Sequence, residues 1–389
     1  MRVRLRTMSG NDNVALEELT RRSAASRLLA AAAIWSPNDT TPAPGSPPEP
    51  AASPPVATHS PVPPPSSAAW PPERLSLALQ GGGTFAAFTW GVLERLLEEP
   101  AIAFDAISGA SAGAINALLL ASGLVEGGRE GARNSLNRFW LRLMEEASFR
   151  SLMLIGGFSP AGSSVAFGST LRSGQFDPFD LDPLRQALCR DIDFAALRAG
   201  SCPRLLVAAT RIRDGSQQVF CNEAITADVA LASTCPPLVH CAVEIEGEAY
   251  WDGGYGANPP LVRLVQETTA TDVLIVRVTP SRDGYVPITL AAIDRRLDQI
   301  AANAALNAEI AALEWARPRA EPALRLFTIA AEDEIDGLAQ RSPTDLGRSF
   351  IRLLHGKGRD AADRWLRQGT DAAPSPSVTR ESAIEPALL

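Results

Sequence analysis

A serine between two glycines, in the segment Gly109-Ala110-Ser111-Ala112-Gly113, has the spacing of a nucleophile turn. A short apolar run precedes this segment and an Ala- and Leu-rich run follows it, so a strand should enter the turn and a helix should leave it. Such a turn holds the serine hydroxyl clear of the backbone, and the first amides of the helix favour an oxyanion there. A simple helix N-cap would explain the serine but not the two glycines. We therefore predict that Ser111 is a nucleophile.

Three consecutive glycines, Gly81 to Gly83, follow an apolar run that predicts a buried strand over Arg74 to Gln80. Exposed backbone amides in a loop of this kind can bind an anion. The loop could serve as an oxyanion hole, because adjacent parallel strands would place it near Ser111. It could also bind a dinucleotide, with Asp105 as the acidic ribose ligand. The nucleotide interpretation is the weaker one, because Ala86 takes the sixth position of the motif and Asp105 precedes the apolar residues of its strand.

An acidic residue lies between aromatic residues and glycines in the segment Tyr250-Trp251-Asp252-Gly253-Gly254. An Asp-Gly turn is the ordinary interpretation of such a segment. A serine nucleophile, however, needs an adjacent base, and Asp252 is the best-placed candidate. An aspartate with a pKa of about 3.9 is a poor base in water, so this role predicts that the Asp252 carboxylate is desolvated. Tyr250 and Trp251 are the candidates for that shielding.

A histidine could act as the base instead, but the chain has only three, His59, His240 and His355. His59 lies in a Pro-rich stretch, and His240 is interpreted as a buried neighbour of the Asp252 loop. The order Ser111, Asp252, His355 fits an α/β-hydrolase triad. A glycine follows His355 directly, which favours a capping or surface role. The triad stays open as the rival of a two-residue dyad.

Together these segments resemble the patatin-like phospholipases, in a bacterial branch of that family. The family pattern is a glycine-rich oxyanion loop after the first strand, then G-x-S-x-G, then D-G-G or D-G-A, and its serine and aspartate act without histidine. The matching residues are Gly81 to Gly83, Gly109 to Gly113 and Asp252 to Gly254, and the likeness extends from about residue 75 to 370.

The resemblance implies an α/β protein, with a three-layer α/β/α patatin-like fold around a mainly parallel central sheet. It also implies a serine acyl hydrolase, a phospholipase or lipid esterase, with a catalytic dyad of Ser111 and Asp252. Backbone amides would form the oxyanion hole, and the residues implied are Gly81, Gly82, Gly83 and Ala112. Asn116 and Asn258 resemble family positions that brace loops.

One segment departs from the family pattern. The oxyanion loop of the family usually continues with a basic residue and a glycine, whereas this chain has Thr84, Phe85 and Ala86. The missing glycine adds a methyl group where the loop meets its helix, and the missing polar side chain removes an anchor. A catalytically weak or inactive lipid-binding protein is therefore the alternative to an active hydrolase.

Composition predicts four segments. Residues 37–72 contain 14 of the 31 prolines and should be a disordered linker. Residues 1–36 are basic, and their apolar run Leu28 to Trp35 is shorter than the roughly 20 residues of a membrane span. This run predicts an amphipathic helix, with a membrane-surface or targeting role as the alternative. The hydrolase domain is expected over 73–370, followed by a disordered tail over 371–389.

Charge and cysteine usage exclude several function classes. The formal net charge is −8, and no cluster of Lys and Arg predicts a nucleic-acid partner. Five cysteines without a C-x-x-C pair favour reduced thiols in a cytoplasmic compartment. The acidic stretch with Asp177, Asp180 and Asp182 is interpreted as solvated turns rather than as a calcium loop. We expect no metal, no cofactor and a lipid or acyl-ester substrate, with peripheral membrane contact as a further expectation.

Alternating apolar runs predict the elements that must position these residues. Buried strands are expected over Arg204 to Thr210 and Asp272 to Val278, and strands that alternate with helices form a mainly parallel sheet covered on both faces. Residues 127–200 would form either a cap over the site or an ordinary surface excursion.

Two long helices are predicted in the last third of the chain. The first covers Pro287 to Ala316, and the spacing of Ile293, Leu297 and Ile300 predicts an apolar face packed on the core. The second covers Leu346 to Gln368.

Overall fold

A mixed sheet of eight strands forms the middle layer of the fold among the residues that the computed structural model describes, 70–145, 182–235, 242–316 and 324–368. The strands are β1 (Arg74–Leu79), β2 (Ala103–Gly109), β3 (Arg204–Arg211), β4 (Gln217–Cys221), β5 (Val243–Ile245), β6 (Glu248–Asp252), β7 (Asp272–Arg277) and β8 (Arg325–Ala330). The strands predicted at β1, β2, β3 and β7 are confirmed.

Most strand pairs at the centre of the sheet are parallel, as predicted. The strand order is β5-β6-β3-β2-β1-β7-β8, with β4 paired to β3. Strands β1, β2, β3, β7 and β8 run in the same direction, whereas β4, β5 and β6 are antiparallel to their neighbours. Leu79 at the end of β1 is in register with Gly109 of β2 and with Val276 of β7. The loops after these three strands therefore emerge side by side at one edge of the sheet.

Helices cover both faces of the sheet, which makes three α/β/α layers. The described helices are α1 (Ala87–Leu97), α2 (Ala112–Glu145), α3 (Asp182–Asp191), α4 (Ala227–Ser233), α5 (Leu261–Glu267), α6 (Leu290–Ala316) and α7 (Arg348–Gln368). Alternate residues of β1 point to opposite faces, as in any strand. Leu75, Leu77 and Leu79 join the apolar cluster that includes α1, α2 and α7, whereas Ala78 joins the cluster with α5 and α6.

The helix after the nucleophile turn begins at Ala112, as predicted, but extends to Glu145. Gly127 and Gly128 have non-helical dihedral angles and interrupt it. The first part of the candidate cap region is therefore a continuation of α2, and residues 146–181 lie outside the described residues. No described helix combines the length and the apolar character that a membrane crossing requires.

The packed region reaches back to Trp70, just before the predicted start at residue 73. The Trp70 indole donates a hydrogen bond of 2.7 Å to the carbonyl of Leu366 and packs edge-on against Phe327 and Trp365. The predictions for residues 1–69 and for the tail fall outside the described residues, as do His59, Asp177, Asp180, His240 and Cys241. Cys189, Cys202 and Cys221 are free thiols.

The apolar stripe predicted to pack inward from α6 faces outward instead. Ile293, Leu297 and Ile300 are 38%, 59% and 52% exposed. The buried side of this half of the helix carries Gln299 and Asn303, whose amides donate to backbone carbonyls of the neighbouring loops. The prediction was wrong because spacing identifies an apolar stripe but not which side of the helix meets the core.

Candidate active site

The G-x-S-x-G segment forms a strained turn between β2 and α2. Ser111 has a φ of 53°, one of two non-glycine residues with positive φ in the described chain. This conformation costs on the order of 1–3 kcal/mol for a side chain other than glycine, and such strain concentrates at functional sites. A Cβ atom on Gly113 would lie 2.2 Å from the carbonyl oxygen of Leu79. The small residue is therefore required so that the turn can approach β1.

Ser111 is hydrogen-bonded directly to Asp252. Its Oγ donates to Oδ2 of Asp252 over 2.8 Å, and the N–H of Gly254 donates to the other carboxylate oxygen over 2.7 Å. Asp252 is the last residue of β6 and pairs with Ala209 of β3, while its own N–H donates to Cys235. Because β6 runs antiparallel to β3, its end lies at the level where the nucleophile turn leaves β2. The predicted pair is thus within hydrogen-bonding distance.

Burial changes the acidity of Asp252. Its side chain is enclosed, and desolvation raises the pKa of the carboxyl to about 6, although the hydrogen bonds from Gly254 and Ser111 oppose the shift. A carboxylate with this pKa is a stronger base than a free aspartate and is still ionised at neutral pH. Tyr255 lines the cavity beside it, while Tyr250 packs on Phe220. The predicted desolvation is present, but Tyr250 and Trp251 do not line the cavity.

The first glycine of the loop after β1 lies against Ser111. A Cβ atom on Gly81 would lie 2.7 Å from Cβ of Ser111. The N–H of Gly81 donates to Oδ1 of Asn258 over 2.7 Å, and its carbonyl accepts from Oγ1 of Thr279 over 3.0 Å. Because this N–H already has an acceptor, Gly81 is not available as an oxyanion donor in this structure. Its two hydrogen bonds instead hold the loop in position.

The other three implied oxyanion donors have unoccupied N–H groups. Those of Gly82, Gly83 and Ala112 have no hydrogen-bond acceptor among the described residues. Gly83 begins a short 3₁₀ helix and Ala112 begins α2, so neither N–H has an acceptor within its own helix. Gly82 and Gly83 line the same cavity as Ser111.

The residues that depart from the family pattern have their own anchors. The N–H of Thr84 donates to the carbonyl of Pro343 over 2.8 Å, and Phe85 packs edge-on against Phe350 with ring centroids 6.1 Å apart. The carbonyl of Ala86 accepts from the amide of Asn116 over 3.0 Å. Asn116 and Asn258 therefore both brace this loop, as predicted.

A buried polar network behind the loop was not found from the sequence. Oε1 of Gln80 accepts from the N–H groups of Val278 and Thr279 over 2.9 and 3.0 Å, and its Nε2 donates to Asn303 over 3.1 Å. Oγ of Ser233 accepts from the N–H of the nucleophile over 3.1 Å. A glutamine at the end of an apolar strand was the available signal, since a buried amide must have partners.

A cavity of about 980 Å³ opens over the serine and the aspartate. This volume lies at the upper end of the roughly 300–1,000 Å³ found for small-molecule sites. The apolar residues that line it include Phe85, Leu290 and Ile293. Asp294 and Asp298 also line the cavity, and burial together with the charge of Asp294 raises the pKa of Asp298 to about 7.

The dinucleotide interpretation does not fit the fold. The carboxylate of Asp105 accepts hydrogen bonds from Thr268, Thr269 and the N–H of Ala270. It lies near the start of β2, at the opposite edge of the sheet from the glycine loop. An acidic residue at that edge cannot bind the ribose of a nucleotide whose phosphates lie on the glycines.

The histidine triad is not assembled either. His355 lies on α7, where its imidazole is hydrogen-bonded to Glu94 and its ring centroid is 3.8 Å from that of Trp90. It does not line the cavity. His240 lies outside the described residues.

Comparisons with known proteins gave a family match and distant structural similarity. A comparison with curated proteins gave no significant match. VipD from Legionella pneumophila is 15% identical, with 78% of this chain and 68% of VipD covered and a TM-score of 0.39. ExoU, in its complex with SpcU from Pseudomonas aeruginosa, is 16% identical, with 77% of this chain covered and a TM-score of 0.32. The chain spans about half the length of ExoU, 53%.

The family model described as patatin-like phospholipase matches residues 77–265. This range begins in β1, includes the glycine loop and the nucleophile turn, and extends past Asp252 into α5. Residues 77–265 therefore match a patatin-like phospholipase domain.

Proposed function

We propose that this protein is a serine acyl hydrolase, a phospholipase or lipid esterase that cleaves lipid acyl esters with Ser111 and Asp252 as its catalytic residues. The observation that carries the proposal is the 2.8 Å hydrogen bond from a serine at positive φ to a desolvated carboxylate. The cavity over this pair and the match to the family model support a lipid as the substrate.

Acylation begins when Oγ of Ser111 attacks the ester carbonyl carbon and its proton moves to Oδ2 of Asp252. The carbonyl oxygen becomes an oxyanion, for which the N–H groups of Gly82, Gly83 and Ala112 are the proposed donors. The positive end of the α2 dipole favours the same charge. The tetrahedral intermediate then collapses, the C–O bond to the alcohol breaks, and the alcohol oxygen takes the proton from Asp252. The products of this half-reaction are the free alcohol and an acyl-Ser111 ester.

Deacylation repeats these steps with water. Asp252 accepts a proton from the water molecule, the hydroxyl attacks the acyl carbon, and collapse of the second intermediate returns the proton to Oγ of Ser111. The raised pKa of Asp252 suits both steps, because the carboxylate is ionised at neutral pH and yet accepts a proton more readily than an exposed aspartate. The site thus needs no histidine in either step.

Labelling with a fluorophosphonate probe tests the nucleophile without knowledge of the natural substrate. The wild-type protein should be labelled at Ser111, and Ser111→Ala should not. Ser233→Ala is a suitable second serine variant, because Ser233 accepts a bond from the nucleophile's N–H but is not proposed to react. Labelling that persists in Ser111→Ala would refute the assignment.

The alternative function, a lipid-binding protein without turnover, rests on Phe85 and Ala86. The contacts of Thr84, Phe85 and Ala86 hold the loop in place, and this favours the enzyme. Hydrolysis of short-chain nitrophenyl esters and of phospholipid vesicles separates the two functions. Vesicle binding without turnover of either substrate would support the alternative.

A further inference from the structure

The first half of α6 has an inverted amphipathic pattern. Helices at the surface of a soluble protein place apolar side chains inward and polar ones outward. Here the inward residues Gln299 and Asn303 are 4% and 3% exposed, and their amides donate to the carbonyls of Ala339 and Pro280 over 2.9 and 3.0 Å. The second half of the helix is ordinary, with Leu306 fully buried. The inversion is therefore a local property of the end of α6 nearest the cavity.

The loop before α6 extends this outward apolar surface. Tyr285, Val286, Ile288 and Leu290 are 74%, 86%, 89% and 87% exposed. An apolar surface of this kind, contiguous in the chain, usually marks an interaction site. The apolar rim is defined here as the following residues: Tyr285, Val286, Ile288, Leu290, Ile293, Leu297 and Ile300.

The apolar rim is continuous with the catalytic cavity. Leu290, Ile293 and Leu297 are exposed to solvent and also line the cavity that contains Ser111. A molecule on the rim therefore lies directly at the entrance to the nucleophile. This continuity indicates that the partner bound on the apolar rim is itself the source of the substrate.

The charge around the rim selects the kind of lipid surface. Residues 281–300 contain three arginines, Arg282, Arg295 and Arg296, and three aspartates, Asp283, Asp294 and Asp298, so their formal charges cancel. A surface that docks on anionic lipid carries an excess of Lys and Arg. A neutral segment with large apolar side chains is suited instead to insertion among zwitterionic lipids, driven by apolar burial.

We propose that the apolar rim docks on a zwitterionic lipid surface and places the cavity mouth against it. This inference rests on the proposed function, because a lipid ester is the substrate that makes such docking useful. The acyl chain passes from the bilayer along Leu290 and Leu297 to Ser111 without crossing water. Docking depends little on salt, since the formal charges of the segment cancel.

Binding is tested with the full chain carrying Ser111→Ala, so that the vesicles stay intact. With phosphatidylcholine vesicles in a flotation assay, Val286→Ser/Ile288→Ser should lower the partition coefficient by about tenfold or more. Neither residue lines the cavity. Leu353→Ser is the matched control, since Leu353 is a 41% exposed leucine on α7, in the opposite layer. Equal partition of the double variant and its parent, or an equal loss in the control, would overturn the proposal.

Activity assays separate this inference from the proposed function. On a monomeric nitrophenyl butyrate, Val286→Ser/Ile288→Ser should retain the wild-type kcat/KM, whereas on phosphatidylcholine vesicles its rate should fall about tenfold or more. If no substrate is turned over but the double variant still loses binding, the proposed function fails and the docking surface stands. If the double variant hydrolyses vesicles at the wild-type rate, the docking proposal fails and the hydrolase stands.

Two other occupants of the rim give different results. A dimer in sedimentation velocity that becomes monomeric in Val286→Ser/Ile288→Ser would assign the rim to a second copy. An environment-sensitive fluorophore on Ile288→Cys, in a Cys189→Ser background, should report water until vesicles are added and then shift to the blue. Emission that is already blue-shifted in the monomer and does not respond to vesicles would mean that the chain covers its own rim. Either result would overturn docking on lipid.

Discussion

Two carboxylates that are shielded from water, Asp252 and Glu94, have pKa values shifted in opposite directions. Burial raises the pKa of Asp252 to about 6, and its hydrogen-bond donors are a serine hydroxyl and a backbone amide. The pKa of Glu94 is lowered, chiefly by its hydrogen bond to His355 and further by the charges of Arg359 and Arg133, although burial opposes the shift. The first environment favours protonation of its carboxyl group, as the proposed base requires, and the second favours the ionised carboxylate.

The difference teaches how to recognise a base in this fold. Glu94 and His355 are a carboxylate and an imidazole in contact, a pair that suggests catalysis by residue type alone, yet they link α1 to α7 in an ion cluster. Asp252 has the features that a base needs, which are desolvation, an adjacent serine hydroxyl and access to a cavity. The decisive property is the environment of the carboxylate rather than the presence of a histidine.

The largest expected effect is the loss of activity when the Asp252 site is altered. Ser111→Ala and Asp252→Asn should each lower kcat/KM for a nitrophenyl ester by at least about 10³-fold, because the nucleophile or its base is removed. His355→Gln and Glu94→Gln should change kcat/KM by less than about threefold. A loss of activity in His355→Gln, with its fold intact by circular dichroism, would support the histidine triad and contradict the dyad of Ser111 and Asp252.

Loss of the hydrogen bonds to the Gly81 backbone should have the next largest effect on activity. Thr279→Val removes the donor to the carbonyl of Gly81, and Asn258→Ala removes the acceptor of its N–H. We expect kcat to fall roughly 10- to 100-fold with a smaller change in KM, because the neighbouring oxyanion amides lose their position while the apolar part of the cavity lining is unchanged. Asn307→Ala provides the matched control, as an exposed asparagine of α6. Equal effects of the three variants on kcat would contradict a positioning role.

The pH profile should reveal the raised pKa of Asp252. Only the ionised carboxylate can accept the proton of Ser111, so kcat/KM should fall about tenfold per pH unit below an apparent pKa of about 6 and be flat above it. Glu94→Gln and His355→Gln should leave this midpoint in place. A midpoint that moves by a full unit in either variant would tie the base to the ion cluster instead.

Stability should respond to the two carboxylates with opposite signs. The pKa of Asp252 is raised in the folded protein from 3.8 to about 6, so its ionisation lowers the free energy of unfolding as the pH rises through this range. Asp252→Asn should therefore be more stable than the wild type by about 1 to 2 kcal/mol at pH 8, and the difference should disappear below about pH 4.

Glu94→Gln should instead destabilise the protein by about 1 kcal/mol, because it removes the carboxylate that contacts His355, Arg359 and Arg133 and leaves the two arginines with Glu98. Thermal unfolding at pH 4 and pH 8 measures both variants. Stabilisation by Glu94→Gln, or destabilisation by Asp252→Asn at pH 8, would contradict the opposite effects expected for the two carboxylates on stability.

Much of the fold and the site was accessible from local sequence patterns. The turn at Ser111 was predicted because glycine spacing, a short apolar run and a helical run are features of neighbouring residues. The mainly parallel sheet followed from alternating strand and helix patterns and was confirmed. The occupied N–H of Gly81 was not predictable, because its acceptor Asn258 lies 177 residues away in the chain.

By itself, the sequence determined the nucleophile turn, the glycine loop and the order of strands and helices, since these depend on the conformational preferences of short segments. Only the tertiary structure decided that Asp252, 141 residues from Ser111, would be its hydrogen-bond partner and would be desolvated. It also decided that Gln299 and Asn303 of α6 face inward and that the apolar stripe of Ile293, Leu297 and Ile300 faces outward. Burial depends on which elements meet, and residue spacing within one element does not contain that information.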